Sequence, residues 1–155
     1  MAQYYFAYGA DMDPKDLGLR CEMRRKIRVE FAEASPAVLK GYRLLCNIPS
    51  QYRNGGIFNI VPDPRGSVHG VAYTLHAGDE LARKQVQEGE SRQYAMPELA
   101  VRTSRGKTLT AKVLRAQSNR KELRPAADYL TVVIGAAKRH RLPRLWISRL
   151  EKMKS

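Results

Sequence analysis

The chain has 155 residues and a formal charge of +13, a length that fits one domain spanning 1–155 with room for one core. At 43% apolar and 28% charged residues it is too apolar for a disordered chain, and no apolar run approaches the ~20 residues of a membrane-spanning helix. Two cysteines, Cys21 and Cys46, and three histidines, His69, His76 and His140, form neither a disulfide framework nor a metal-ligand spacing, so no metal site and no membrane partner are expected. The N-terminus lacks a basic segment followed by an apolar stretch, and the expected location is cytoplasmic, with reduced thiols.

The charge is uneven. Residues 1–101 hold 13 Lys/Arg against 12 Asp/Glu, whereas residues 102–155 hold 15 against 3. Such a basic segment attracts phosphates and acidic partners. Two readings follow: a nucleic-acid binder, or an enzyme whose C-terminal third is basic.

In chain order, QYYFAY (3–8) reads as an aromatic opening strand that breaks at Gly9. Asp13, Pro14 and Asp16 then carry a helix-start signal, as cap, first position and first-turn acid. AVLKGYRLLCN (37–47) reads as a strand with a bulge near Gly41. Residues 53–75 read as a hairpin of GIFNIV and VHGVAYTL around the turn-forming segment PDPRGS. A helix is expected over 78–89, capped by Asp79 and stopped by Gly89. A second hairpin joins 94–103 to 107–117 through SRG. Residues 125–141 read as a helix with Leu130, Val133, Ile134 and Ala137 on one face. A last helix starts at Pro143, its apolar side Leu145, Trp146, Leu150 and Met153. Strands first, one helix between and helices last argue an α+β fold with a mostly antiparallel sheet, closed into a barrel.

The sequence holds no P-loop, GxGxxG, HExxH or GxSxG motif. Three features remain. Tyr8-Gly9-Ala10-Asp11 joins a strand to a helix start, where exposed backbone N–H groups can bind an anion, or simply turn the chain. Asn54-Gly55-Gly56 allows close backbone approach to a ligand, or forms a hairpin or bulge. Glu88, in Gln87-Glu88-Gly89, falls at the C-terminal end of the expected middle helix, where the dipole makes a carboxylate more basic.

In this order the motifs resemble the γ-glutamylcyclotransferase-like superfamily, which includes the γ-glutamylamine cyclotransferases and the plant avirulence-induced-gene-like proteins. The family's opening strand and Tyr-Gly-Ser-Asn loop correspond to residues 5–11, and its Gly-Gly-Ile segment to Gly55-Gly56-Ile57. Val68-His69-Gly70-Val71-Ala72-Tyr73 matches a V-x-G-x-x-Y/W strand. Glu88-Gly89 takes the place of the catalytic glutamate and its glycine, with Tyr94 the tyrosine that follows. Pro125, Tyr129-Leu130, Gly135-Ala136 and Leu142-Pro143 follow the family's closing pattern.

The resemblance implies a small mixed, mostly antiparallel β-barrel with flanking helices. It implies closure of a γ-glutamyl amine or peptide to 5-oxoproline with release of the amine, without metal or cofactor. Glu88 would be the general acid/base, and Tyr8, Gly9, Ala10, Asp11, Gly56, Tyr94 and Tyr129 would bind the small-molecule γ-glutamyl substrate. Ala10 and Asp11 depart from the family's Ser and Asn. Asp11 either faces the pocket, where it opposes a substrate carboxylate, or caps the following helix. Two other readings are a barrel that binds a small ligand without turning it over, and nucleic-acid association through the basic third. The latter is less favoured, because no helix-turn-helix, RRM or KH signature is present and the aromatics lie outside the basic run.

Overall fold

The computed structural model describes residues 3–13, 34–50, 53–75, 94–116 and 121–154. The sequence-read helices after Pro14 and over 78–89 lie outside the described residues, and so do Cys21 and Glu88.

Five strands form a closed barrel in the order β1 (Gln3–Ala7), β3 (Gly55–Leu75), β2 (Ala34–Ser50), β5 (Glu98–Thr103) and β6 (Thr108–Val113). Every pairing is antiparallel except the closing one, in which β1 runs parallel to β6 through Tyr5↔Lys112 and Phe6↔Val113. Closure leaves no free barrel edge where these strands meet. Short strands β4 (Tyr94–Ala95) and β7 (Arg115–Ala116) form a separate ribbon. Helices α1 (Ala127–Arg139) and α2 (Arg144–Glu151) follow. This is the expected α+β, mixed and mostly antiparallel barrel with flanking helices. Among the described residues no helix is long and apolar enough to cross a membrane.

The barrel interior is filled by alternate positions of its strands: Phe6, Leu39, Val68, Val101 and Val113 share one face and are all buried. The 94–103/107–117 hairpin forms as expected, with Gly106 at positive φ in its turn. The 53–75 hairpin does not. Both of its expected strands belong to the single strand β3, which pairs with β2 along its length.

The turn chemistry between them is spent on a bulge. The register jumps from Tyr42↔Pro62 to Lys40↔Ser67, leaving Asp63, Pro64, Arg65 and Gly66 opposite Gly41 alone. Asp63 Oδ1 accepts the Arg65 N–H at 3.0 Å, a local Asx bond of the sort that also makes turns. Gly41 answers with φ of 90°, a conformation that L side chains rarely adopt. The true hairpin tip lies one strand earlier, at Arg53-Asn54, where Asn54 takes φ of 57° and the Arg53 N–H donates to Ser50 Oγ. That agrees with the hairpin reading of Asn54-Gly55-Gly56.

Helix α1 buries Tyr129, Leu130, Val133, Ile134, Ala136 and Ala137, the stripe that its three- and four-residue spacing dictates. It ends in a left-handed residue, Arg141, at φ of 59°; the Leu142 N–H reaches back to Ala137 O and the Arg141 N–H to Lys138 O. Helix α2 buries Trp146 and Leu150, but Leu145 is 86% exposed, against the expectation that it joins the apolar side. Leu145 sits one position before Trp146, about 100° round the helix, and so points to solvent while the helix buries Trp146.

Candidate active site

β1 delivers the chain to Tyr8 and Gly9, and a single 3-10 turn, Ala10–Met12, follows. The turn is closed by Met12 N–H to Gly9 O at 3.0 Å and Asp13 N–H to Ala10 O at 2.9 Å. Ala10, Asp11 and Met12 are buried. The Tyr8 hydroxyl donates to Leu114 O at 2.5 Å, fastening the loop's start to the segment between β6 and β7.

The Asp11 carboxylate is buried and accepts the Tyr5 hydroxyl at 2.6 Å, so it bonds back to strand β1. A charge-assisted bond of this kind holds a buried carboxylate that would otherwise be costly.

Tyr129 meets the loop from the other side. A Cβ on Gly9 would collide with the Tyr129 hydroxyl, so only glycine lets the phenol come this close. The same hydroxyl accepts the Phe58 N–H at 3.1 Å, and the two rings pack edge-to-face at 5.4 Å. The buried Arg53 guanidinium lies 5.6 Å from the centre of the Tyr129 ring and 4.0 Å from Asp128. Tyr129 thus joins the loop, the far half of β3 and the tip of the β2–β3 hairpin.

Gly56 lies two residues before Phe58 on the same edge of β3. Its N–H donates to Arg124 O at 3.0 Å and its carbonyl accepts the Ala126 N–H at 2.9 Å. A Cβ there would lie 2.7 Å from Cys46 Sγ and 2.9 Å from Arg124 O. Both backbone groups and the space around Gly56 are therefore used for packing the strap that leads into α1. That strap satisfies the strand edge where β1 no longer covers it. Farther on, the Asn59 side chain holds both backbone groups of Ala116, at 2.9 and 3.0 Å. Tyr94 pairs with Ala116 through the backbone, which brings β4 to the same end of the molecule.

The structure brings Gly9 and Tyr129 into direct contact and sets Tyr8, Ala10 and Asp11 beside them on the loop, with Gly56 near through Phe58. A cleft of about 600 Å³ is lined by Asn54, Gly55, Arg124, Pro125 and Leu130 among others, and by none of these site candidates. Cys46, buried beneath Gly56, has its thiol pushed up to about 12 by burial and then by the Glu122 charge, which removes it as a nucleophile at neutral pH. Among the described residues no cluster of His, Cys, Asp and Glu could hold a metal.

Four supporting residues were not singled out for the site by sequence reasoning. Tyr5 holds Asp11. The Tyr73 hydroxyl donates to Met12 O at 2.7 Å, and His140 Nε2 lies 2.8 Å from the same oxygen. Arg53 covers Tyr129. The signal available for the tyrosines was chemical: a phenol on a barrel strand needs a partner for its hydroxyl once buried.

A family model described as gamma-glutamyl cyclotransferase, AIG2-like, matches residues 5–131. No curated protein matches the chain. A solved structure named gamma-glutamyl cyclotransferase is 24% identical with a TM-score of 0.81, over 97% of this chain and 87% of the other. YkqA from Bacillus subtilis is 22% identical with a TM-score of 0.77, over 99% of this chain and 55% of the other. A gamma-glutamyl cyclotransferase from yeast, described as specific to glutathione, is 10% identical with a TM-score of 0.68, over 98% and 95% of the two chains. These structures share the fold.

Proposed function

We propose, from the premise that this chain belongs to the AIG2-like γ-glutamyl cyclotransferase family, that it is a single-domain enzyme closing a γ-glutamyl amine or peptide to 5-oxoproline. The observation that carries the reading is the family match over residues 5–131, which spans the 8–11 loop, Glu88 and Tyr129.

Attacker and target lie in one molecule, so the enzyme's task is to fold the substrate until its α-nitrogen faces its γ-carbonyl. Glu88 takes one proton from the α-ammonium. The freed nitrogen attacks the carbonyl carbon and sheds a second proton as the tetrahedral adduct forms. The bond to the leaving nitrogen then breaks as Glu88 returns its proton there. The other proton ends on the released amine in water. Backbone N–H groups of the Tyr8–Asp11 loop hold the substrate carboxylate or the developing oxyanion. Tyr129 and Tyr94 supply phenolic contacts to the substrate, and Gly56 serves by close packing of the strap that sets Tyr129. The bond between Asp11 and Tyr5 supports this reading, because it turns the added carboxylate toward β1. No metal or cofactor takes part in the scheme.

The test is 5-oxoproline release from a panel of γ-glutamyl amines and peptides. Glu88→Gln is expected to lower kcat by about 10²–10⁴-fold with an unchanged fold. An unchanged rate removes Glu88 as the base. Ligand binding without any 5-oxoproline selects the binding-only barrel instead.

A further inference from the structure

The loop that carries Gly9 is gripped at both ends by one helix. At its N-terminal end, α1 sets the Tyr129 hydroxyl against Gly9. At its C-terminal end, thirteen residues long, α1 closes with Arg139 and His140. Arg139 reaches Asp13 Oδ2 at 3.0 Å. His140 Nε2 lies 2.8 Å from the Met12 carbonyl, and the Tyr73 hydroxyl donates to that same oxygen at 2.7 Å. The Tyr73 and His140 rings stand edge-to-face at 6.2 Å. A carbonyl oxygen has two lone pairs, and both donors fit them when His140 carries its proton on Nε2.

Each grip is made by a different kind of support. Arg139 is exposed, and an exposed ion pair of this sort holds weakly. Tyr73 is 1% exposed and rises from the barrel wall, with its strand paired to Tyr5 on one side and Ala34 on the other. His140 is part-buried at the helix end. A buried bond from the barrel wall and a part-buried one from the helix end, meeting on one carbonyl, restrict it far more than a surface pair does.

The Met12 carbonyl belongs to the last residue of the 3-10 turn. Fixing it at one end, with Gly9 fixed against Tyr129 at the other, leaves the intervening Ala10 and Asp11 peptide planes little freedom. We infer that Tyr73 and His140 are positioning residues, which hold the Met12 carbonyl so that the Gly9–Asp11 backbone keeps the orientation in which it meets substrate. This rests on the proposed reaction for its functional consequence; the grip itself does not.

The experiment compares wild type with Tyr73→Phe, His140→Ala, His140→Gln and the Tyr73→Phe/His140→Ala pair. Residue-resolved amide exchange on the full chain is the first readout. The Met12 and Asp13 amides, which close the 3-10 turn, are expected to exchange at least tenfold faster in the double variant while barrel amides such as Val71 keep wild-type protection. His140→Gln, which retains a donor, is expected to restore most of that protection. Steady-state kinetics is the second readout, on whichever γ-glutamyl compound wild type turns over. The double variant is expected to lose about tenfold or more in kcat/KM, mainly in kcat, because misplacement by a fraction of an ångström acts on the reacting geometry.

Wild-type protection of Met12 and Asp13 in the double variant overturns the grip. Faster exchange with unaltered kcat and KM overturns its positioning role. If wild type releases no 5-oxoproline, the proposed reaction fails, and the exchange result still decides whether the grip exists. Should His140→Ala not fold, Tyr73→Phe alone, which removes one oxygen atom, is expected to show the exchange effect at about half its size.

Discussion

Cys46 illustrates how one side chain's surroundings decide its chemistry. Its thiol lies under Gly56 and is pushed up from the usual 9.0 to about 12, chiefly by burial. Between those two values the unfolded chain ionises while the folded one does not. The unfolded state then binds fewer protons, and this group makes stability fall as pH rises above about 9, with no contribution below it. At pH 8, iodoacetamide should therefore label Cys46 in the native protein on the order of 10²–10³-fold more slowly than in denaturant. Peptide mass mapping separates it from Cys21, and equal rates would place the thiol in water. Asp11 makes a related point. The substitution for the family's Asn adds a charge to the loop, and the structure bonds that carboxylate to Tyr5 of strand β1.

At the scale of elements, the β3 bulge is the feature that sequence reading mistook and the barrel requires. Pro62, Asp63, Pro64 and Gly66 are ordinary turn formers, and locally they did form a turn-like Asx bond. A hairpin also needs its two arms to pair with each other. Here the neighbouring strand β2 is long enough to pair with both arms, so Asp63, Pro64, Arg65 and Gly66 loop out and the strand continues. Gly41 lies opposite, and a Cβ there would meet nothing within 4 Å. The cost of filling it is thus one of backbone conformation alone. Gly41→Val should lower unfolding stability by about 1–3 kcal/mol, read as a lower urea midpoint with unchanged slope. A midpoint equal to wild type would show that the bulge tolerates an L residue at that φ.

At the largest scale, most Lys and Arg side chains among the described residues stand in water. Arg102, Arg105, Lys138, Arg141, Arg144 and Arg149 are all exposed. Like charges at this density repel, and salt screens them. Raising sodium chloride from about 0.02 to 0.3 M, a change that shortens the screening length to well under 10 Å, should raise Tm. An increase of about 2–4 °C corresponds to roughly 1 kcal/mol for a chain of this size. Trp146, the one tryptophan and a buried one, reports the transition by fluorescence. A falling Tm would mean that attractive ion pairs, such as Arg139–Asp13, outweigh the repulsion.

The class of fold and many of its described elements are legible in the order of amino acids alone. Period-two alternation in 98–113, the three- and four-residue stripe of 127–139 and the aromatic first strand are local patterns, and local patterns survive reading one dimension at a time. The order of glycines and tyrosines was enough to point to the family that matches residues 5–131. Which groups meet is set by packing between distant segments. Tyr129 and Gly9 are far apart in sequence, and nothing in either segment announces that a phenol fills the space a Cβ would need. Tyr73, His140 and Met12 come from a barrel strand, a helix end and a turn, and they meet on one carbonyl oxygen because the barrel closes and α1 packs back over its opening loop. Hydrogen bonds between distant segments depend on that closure, which no run of neighbouring residues encodes.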